Sequence, residues 1–140
     1  MFFQKVKRKV QCIICPHECI LQEGQVGLCG VRQNLGGKIK SRTYGLLSSV
    51  AFDPIEKKPL YHFYPGKKIL SVGSLGCNLK CNFCQNWKTS IAAHVENLKQ
   101  YPAQELGVDE VVKMALSDED NIGIAFTYNE PSINFEYVLD

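Results

Sequence analysis

Apolar residues in the second half of the chain follow a pattern that predicts a strand, a helix and a second strand. Residues 68–74 form a short apolar run of buried-strand type, and residues 122–127 form another. Between them, residues 108–116 place apolar side chains on one helical face, and Asp109 can cap the start of that helix. This order indicates a right-handed crossover between two parallel strands.

The segment before these elements predicts strands and a loop. Gly36 and Gly37 signal a turn, after which residues 38–44 and 46–52 each predict a strand. Residues 53–66 contain three prolines, which exclude a continuous helix. Their polar residues suggest carboxylate or phosphate binding, but a solvated loop with an edge strand is favoured; these residues are Lys57, Lys58 and His62. Residues 132–140 predict a helix at the end of the chain.

Composition narrows the class of protein. The chain has 140 residues, of which 45% are hydrophobic and 21% charged, as in a soluble protein of one domain or of a small module plus part of another. A net charge of +2 is too small to indicate nucleic acid or an acidic membrane as a partner. No apolar run has the length of a signal peptide or a membrane span, so we expect a cytoplasmic protein. Seven cysteines in that reducing compartment indicate metal binding.

Three of these cysteines follow the first predicted strand of the second half, within the sequence GCNLKCNFCQNW of residues 76–87: Cys77, Cys81 and Cys84. Three thiolates can hold an iron–sulfur cubane and leave one iron open to a ligand that is not protein. The residues also permit structural zinc with His94 or Asp53 as fourth ligand, a ferredoxin-type cluster with a distant cysteine, or a disulfide. The paired spacing of zinc ribbons is absent, and nothing suggests an oxidising compartment. The cluster with an open iron is therefore favoured.

The other four cysteines lie near the start of the chain at the spacing C-x2-C-x3-C-x9-C, and they are Cys12, Cys15, Cys19 and Cys29. Four thiolates complete a tetrahedral zinc site or a cubane cluster, with no position left open. His17 could replace one cysteine, although a loop position suits it better. A segment this short and rich in glycine needs such a metal for stability, so the site is predicted to be structural. Zinc is favoured over a second cluster, and both remain open.

The pattern C-x3-C-x-aromatic-C, with Phe83 as the aromatic residue, resembles the signature of radical S-adenosylmethionine (SAM) enzymes. The sequences CQNW at residues 84–87 and TYNEP at residues 127–131 are similar to the branch related to pyruvate formate-lyase activating enzyme. The chain is most similar to the radical SAM member of the AmmeMemoRadiSam system. This resemblance runs from CPHEC at residues 15–19 to TYNEP.

The resemblance implies roles for individual residues. The three cysteines of residues 77–84 would bind a [4Fe-4S] cluster whose fourth iron is chelated by SAM, and Phe83 would lie against the adenine. Family members cleave SAM reductively to a 5′-deoxyadenosyl radical that abstracts hydrogen from a substrate. Such an enzyme needs a reductant such as flavodoxin or ferredoxin. The substrate, a protein glycine or a small molecule, is not indicated.

Related enzymes often carry Gly-Gly-Glu-Pro after their second strand to hold the SAM amino group. This chain has Tyr128 and Asn129 in place of the glycines, whereas Glu130 and Pro131 match. We therefore expect Glu130 to bind the ammonium, with Asn129 assisting. Helix capping by Asn129, with Pro131 in the first helical position, is the structural alternative. Trp87 could form a wall of the cluster pocket, but core packing is favoured.

The predicted fold is α/β: an incomplete (β/α) radical SAM barrel preceded by a small Cys-rich module of strands and loops. We place the module at residues 1–66 and the start of the barrel at residues 67–140. An eight-unit barrel typically takes about 250 residues, so we expect the chain to be the N-terminal portion of a longer enzyme and to be inactive alone. The competing hypothesis is a non-catalytic iron–sulfur or zinc module for electron transfer or partner binding.

Overall fold

The structure is a computed structural model that describes residues 2–92, 98 and 101–140. His94, one of the candidate zinc ligands, lies outside the described residues. The elements make a mixed α/β chain in which strands predominate over short helices. Completion of a barrel stays a prediction.

The N-terminal part consists of two small antiparallel sheets. Strands β1 (Phe3–Val6), β2 (Lys9–Cys12) and β3 (Ile20–Leu21) form the first, and β4 (Arg32–Leu35) and β5 (Lys38–Ser41) form the second. The sequence pattern predicted only β5 among these five strands, and it placed the end of β5 three residues too late. A small core of buried side chains joins the two sheets, and its members are Val10, Cys12, Leu21 and Ile39.

The larger sheet has four strands, β6 (Leu46–Pro54), β7 (Lys68–Ser74), β8 (Gln104–Glu105) and β9 (Asn121–Phe126), in the order β8-β6-β7-β9. β7 and β9 are parallel, which confirms the predicted pair of parallel strands, and the other neighbours are antiparallel. The predicted boundary after residue 66 runs through this sheet, because β6 lies before it and β7 after it. The first 66 residues therefore contribute a strand to the same layer as the second half.

In the part of the chain that the structure describes, the sheet is accompanied by the helices α1 (Trp87–Ala92), α2 (Val108–Leu116) and α3 (Phe135–Leu139), and 3-10 turns occupy Ile55–Lys57 and Pro131–Asn134. The range predicted for α2 is confirmed, but its cap is not Asp109. The helix is capped at Gly107, whose N–H donates a 2.7 Å bond to Oε2 of Glu110. A glutamate at the third helical position can reach back to the capping residue in this way.

The main core lies between the larger sheet and helices α2 and α3. Its buried side chains come from all three elements and include Leu47, Leu70, Val72, Val111, Ala115 and Tyr137. This packing fixes β7 and β9 side by side, so their carboxyl ends reach the same edge of the sheet. No helix within residues 2–92, 98 and 101–140 is long and apolar enough to cross a membrane.

Candidate functional site

One open pocket with a volume of about 460 Å³ lies at the carboxyl ends of β7 and β9. Two groups predicted from the sequence line it: the three cysteines of residues 77–84, and residues 127–130 of the TYNEP sequence. Lys57 and Lys58, from the segment after β6, line it as well. The structure thus brings together parts of the chain that are more than 70 positions apart in sequence.

Asn129 fixes the start of the cysteine loop. Its amide nitrogen donates to Oγ of Ser74 at 2.9 Å and to the carbonyl oxygen of Gly76 at 2.7 Å. Its amide oxygen accepts a 3.2 Å bond from the backbone N–H of Ser74. Both amide hydrogens are therefore committed to the chain. Asn129 is therefore a positioning residue for the loop. These bonds account for where its side chain lies, and its assistance in SAM binding stays a prediction.

Tyr128 adopts a backbone conformation that side-chain-bearing residues seldom use, with φ of 71°. Its carbonyl oxygen accepts a 3.0 Å bond from Asn86, which lies just after the cysteine triplet. Its ring lies over Gly73, where a Cβ atom would come within 2.7 Å of Cδ2 of the tyrosine. Strained backbone of this kind persists where surrounding contacts hold it, often at functional sites.

Asp53 belongs to the candidate site as the partner of Lys57 and Lys58, a role that the sequence did not predict. The residue is buried, with 4% of its surface exposed. Oδ1 pairs with Nζ of Lys57 at 2.7 Å, while Oδ2 pairs with Nζ of Lys58 at 2.9 Å and accepts a 2.9 Å bond from the phenol of Tyr128. Burial alone would raise the pKa of Asp53, but hydrogen bonds from both lysines hold that pKa well below its usual range.

The prediction of a solvated loop is confirmed for residues 59–66, which are exposed, but it is wrong at the start of the segment, where Asp53 and Ile55 are buried. The ammonium groups of Lys57 and Lys58 are held against a buried carboxylate at the rim of the pocket. His62, by contrast, is exposed and does not line the pocket. Asp53 is committed to its lysine and tyrosine partners, so nothing in the arrangement favours it as a zinc ligand. The signal in the sequence was an aspartate followed by two lysines at short spacing.

Glu130 both lines the pocket and caps a turn. Its Oε1 accepts a 3.2 Å bond from the backbone N–H of Ser132, and Pro131 begins the 3-10 turn that follows. The predicted place of Pro131 at the start of this turn is confirmed, but the prediction that Asn129 caps it is wrong, because Glu130 is the capping residue. The cap orients the carboxylate beside the cysteine loop.

The aromatic residues of the triplet region are exposed. Phe83 has 86% of its surface exposed and Trp87 has 53%, so the prediction of core packing for Trp87 is wrong. Neither side chain lines the pocket. The predicted contact of Phe83 with adenine stays a prediction.

The four N-terminal cysteines line a second, much smaller cavity of about 10 Å³. Cys12 and Cys29 are buried, and Cys15 and Cys19 are partly exposed. Burial raises the pKa of Cys12 and the pKa of Cys29. His17, Arg32 and Asn78 also line this cavity, the last of them from the triplet loop.

His17 connects the two cysteine groups. Its Nε2 donates a 2.8 Å hydrogen bond to the carbonyl oxygen of Asn78, which lies between Cys77 and Cys81. A histidine that donates one ring N–H to a backbone carbonyl can bind a metal through its other nitrogen, so both the loop role of His17 and that of a substitute ligand stay open.

All seven cysteines are free thiols. Among the residues that the structure describes, no three Cys, His, Asp or Glu side chains are already grouped to hold a metal ion. The donor chemistry of each cavity nevertheless fits a thiolate-bound centre, because one of the two cysteine groups lines each of them. Binding would draw the thiols inward from these positions.

No family model matches the chain, and no solved structure matches it. The chain is similar to uncharacterized protein MJ0808 of Methanocaldococcus jannaschii, with 41% identity over 141 aligned residues. The alignment covers 100% of this chain and 41% of that relative. The chain therefore spans less than half the length of the curated relative that it matches.

Proposed function

We propose that this chain forms the cluster- and SAM-binding part of a radical SAM enzyme, in the branch related to pyruvate formate-lyase activating enzyme. The observation that carries the proposal is the shared pocket of about 460 Å³, which three cysteines line together with Glu130. The sequence resemblance implies that a cysteine triplet and a carboxylate lie at one place. Here they follow two neighbouring parallel strands, β7 and β9.

The pocket supports binding of a [4Fe-4S] cluster by Cys77, Cys81 and Cys84. Three protein ligands leave one iron for the methionyl group of SAM, and the bound cluster supplies the electron that cleaves the sulfonium. Glu130 lines the same pocket, and its negative charge would hold the SAM ammonium. Asn129 holds the start of the cysteine loop through Ser74 and Gly76.

The pocket is open, which leaves space for a substrate next to the cluster. Lys57 and Lys58 carry two positive charges against the single carboxylate of Asp53, so this part of the rim has a net positive charge. That charge favours an anionic group on the bound ligand. The proposed hydrogen donor is a protein or a small molecule, and the proposed reductant is an electron-transfer protein such as flavodoxin or ferredoxin.

Low-temperature electron paramagnetic resonance of the anaerobically reconstituted, dithionite-reduced chain tests the proposal. We expect a reduced cluster signal whose shape changes when SAM is added, because SAM would coordinate the open iron. A cluster signal that SAM leaves unchanged would contradict the proposal and favour a passive electron-transfer module. Recovery of zinc without iron at the triplet would contradict it in favour of a zinc module.

A matched pair of variants tests the role of Glu130. Glu130→Gln keeps an oxygen that can accept from Ser132 but removes the negative charge. We expect it to require more SAM for the same spectral change, with the iron content unchanged. Glu119→Gln, which alters an exposed glutamate outside the pocket, is the control and should respond to SAM as the wild type does. Equal SAM responses of both variants would remove Glu130 from the proposed site.

A further inference from the structure

Arg32 is a buried cation whose hydrogen bonds are incomplete. Only 2% of its surface is exposed, and Nη1 pairs with Oε1 of Glu136 at 2.6 Å. Its Nε and Nη2 groups have no hydrogen-bond partner among the described residues. Buried N–H groups of a charged side chain are costly to leave unpaired. Arg32 is one of the residues that line the cavity of the four cysteines, so we looked there for the missing acceptor.

The size of this cavity distinguishes the two metals that the sequence left open. A volume of about 10 Å³ is the space of a single water-sized sphere. One metal ion fits that space once the thiols move inward to bind it. A cubane cluster brings four irons and four sulfides between its cysteine ligands, and it would force apart a cavity that is closed by the buried residues Cys12 and Cys29.

The net charge of the bound site also favours a single divalent ion next to Arg32. Four thiolates around a divalent ion leave a net charge of about −2, which a neighbouring guanidinium would offset and to which it can donate hydrogen bonds. The backbone N–H of Val31 already donates to Sγ of Cys29 at 3.4 Å.

We propose that Cys12, Cys15, Cys19 and Cys29 bind one divalent ion of the zinc class, and that Arg32 serves as the counter-charge of this centre by donating to its thiolates. The inference does not rest on the proposed radical SAM function, because it concerns a different cavity and different cysteines.

The test of metal identity uses the full 140-residue chain with Cys77, Cys81 and Cys84 all replaced by alanine. It is offered Zn²⁺ in one anaerobic sample and iron with sulfide in another, and bound metal is measured by elemental analysis. We expect one zinc per chain and no bound cluster. With Co²⁺ as the probe, we expect the visible spectrum of tetrahedral cobalt with four thiolate ligands. Four irons with sulfide, or no bound metal in a folded variant, would overturn the proposal.

A second measurement covers the case in which the triple variant does not fold. The wild-type chain is loaded with one equivalent of Zn²⁺ and treated with a thiol-alkylating reagent, and the modified cysteines are mapped by mass spectrometry. We expect protection of the four N-terminal cysteines and rapid alkylation of the other three. Protection of the triplet instead, or of no cysteine, would overturn the assignment of zinc to the N-terminal site.

The role of Arg32 is tested by zinc affinity, measured in competition with a chelator. We expect Arg32→Met to weaken binding by about 10-fold, the lower end of the effect for residues that support metal ligands. Arg32→Lys, which keeps the charge, should lose less, and Arg8→Met, at an exposed arginine, should lose nothing. The double variant Arg32→Met, Glu136→Gln also removes the partly exposed carboxylate that the single change leaves without its cation. Wild-type affinity in that folded double variant would exclude Arg32 as the counter-charge.

Discussion

The phenol of Tyr128 donates a 2.9 Å hydrogen bond to Oδ2 of Asp53, a residue 75 positions earlier in the chain. Asp53 lies near the end of β6 and Tyr128 follows β9, so this bond connects the two strands that flank β7. The same carboxylate holds Lys57 and Lys58 at the rim of the pocket. The segment after β6 is thereby part of the candidate site.

Replacing Tyr128 with phenylalanine should lower the free energy of unfolding by about 1 kcal/mol, the usual net value of one hydrogen bond. The effect stays modest because Asp53 keeps both lysine partners. Urea denaturation of the purified chain measures it. Tyr44→Phe is the matched control, since its phenol donates to Asp140 at an exposed site and should matter less. If the two variants lose the same stability, the bond between Tyr128 and Asp53 has no special structural role.

Asp53→Asn should have a larger effect that depends on pH. Removing the buried carboxylate leaves the mostly buried ammonium of Lys58 without its partner, for which we expect a loss of about 3 kcal/mol at pH 7. The pKa of Asp53 is lowered by folding, so its charge contributes stability above the unfolded pKa of about 3.9 and loses that contribution as the pH falls through the folded pKa.

Urea denaturation of the wild type and of Asp53→Asn between pH 7 and pH 3 measures this dependence. The difference between the two free energies of unfolding should be constant near neutrality and shrink below about pH 4. Both chains keep all seven cysteines, so protonation of the thiols cancels in the difference. A difference that stays constant down to pH 3 would contradict the low pKa of Asp53.

The part of the fold that could be predicted from the sequence is the part governed by local pattern. Residues 68–74 and 108–116 have continuous or helically spaced apolar side chains, and both became the predicted elements β7 and α2. The pocket could be predicted as well, since the cysteine loop and the TYNEP sequence each come directly after one of the two parallel strands. Local spacing is enough to place such residues at one edge of a sheet.

Elements stabilised by distant partners could not be predicted in this way. β4, with the sequence RQNL, has little apolar character, and its Arg32 is buried because Glu136 meets it from 104 positions away. Asp53 likewise is buried among partners that include Tyr128. From the sequence alone, such polar residues are predicted to be exposed. They are buried here because charge pairing with distant residues offsets the cost of removing them from water.

Gly73→Ala should perturb the pocket through Tyr128. The added Cβ would lie 2.7 Å from Cδ2 of the tyrosine ring and 3.3 Å from the carbonyl oxygen of Thr127, and such overpacking typically costs about 1–3 kcal/mol. Thermal or urea unfolding measures the loss. Made in a Tyr128→Ala background, the same change should cost less, because the ring atom nearest to the added Cβ is gone. A Gly73→Ala chain with wild-type stability would show that the ring moves aside freely.

The hydrogen bond from His17 to Asn78 predicts that the two cysteine sites are coupled. Asn78 lies between Cys77 and Cys81 and also lines the cavity of the N-terminal cysteines. Loss of this bond should free the triplet loop, so we expect His17→Ala to lower the affinity of the triplet for its cluster by up to about 5-fold, the equivalent of one hydrogen bond.

Iron and sulfide per chain, measured after reconstitution at limiting iron, report this change. His17→Gln, which can still donate from its amide, should lose less, and zinc bound at the N-terminal cysteines should remain in both variants. Cys81→Ala should abolish the triplet cluster and keep that zinc, with a zinc affinity reduced by no more than the coupling itself, since coupling between two sites is reciprocal. Loss of both metals from Cys81→Ala would mean instead that the two sites fold as one unit. Unchanged iron in His17→Ala would mean that this bond transmits nothing between them.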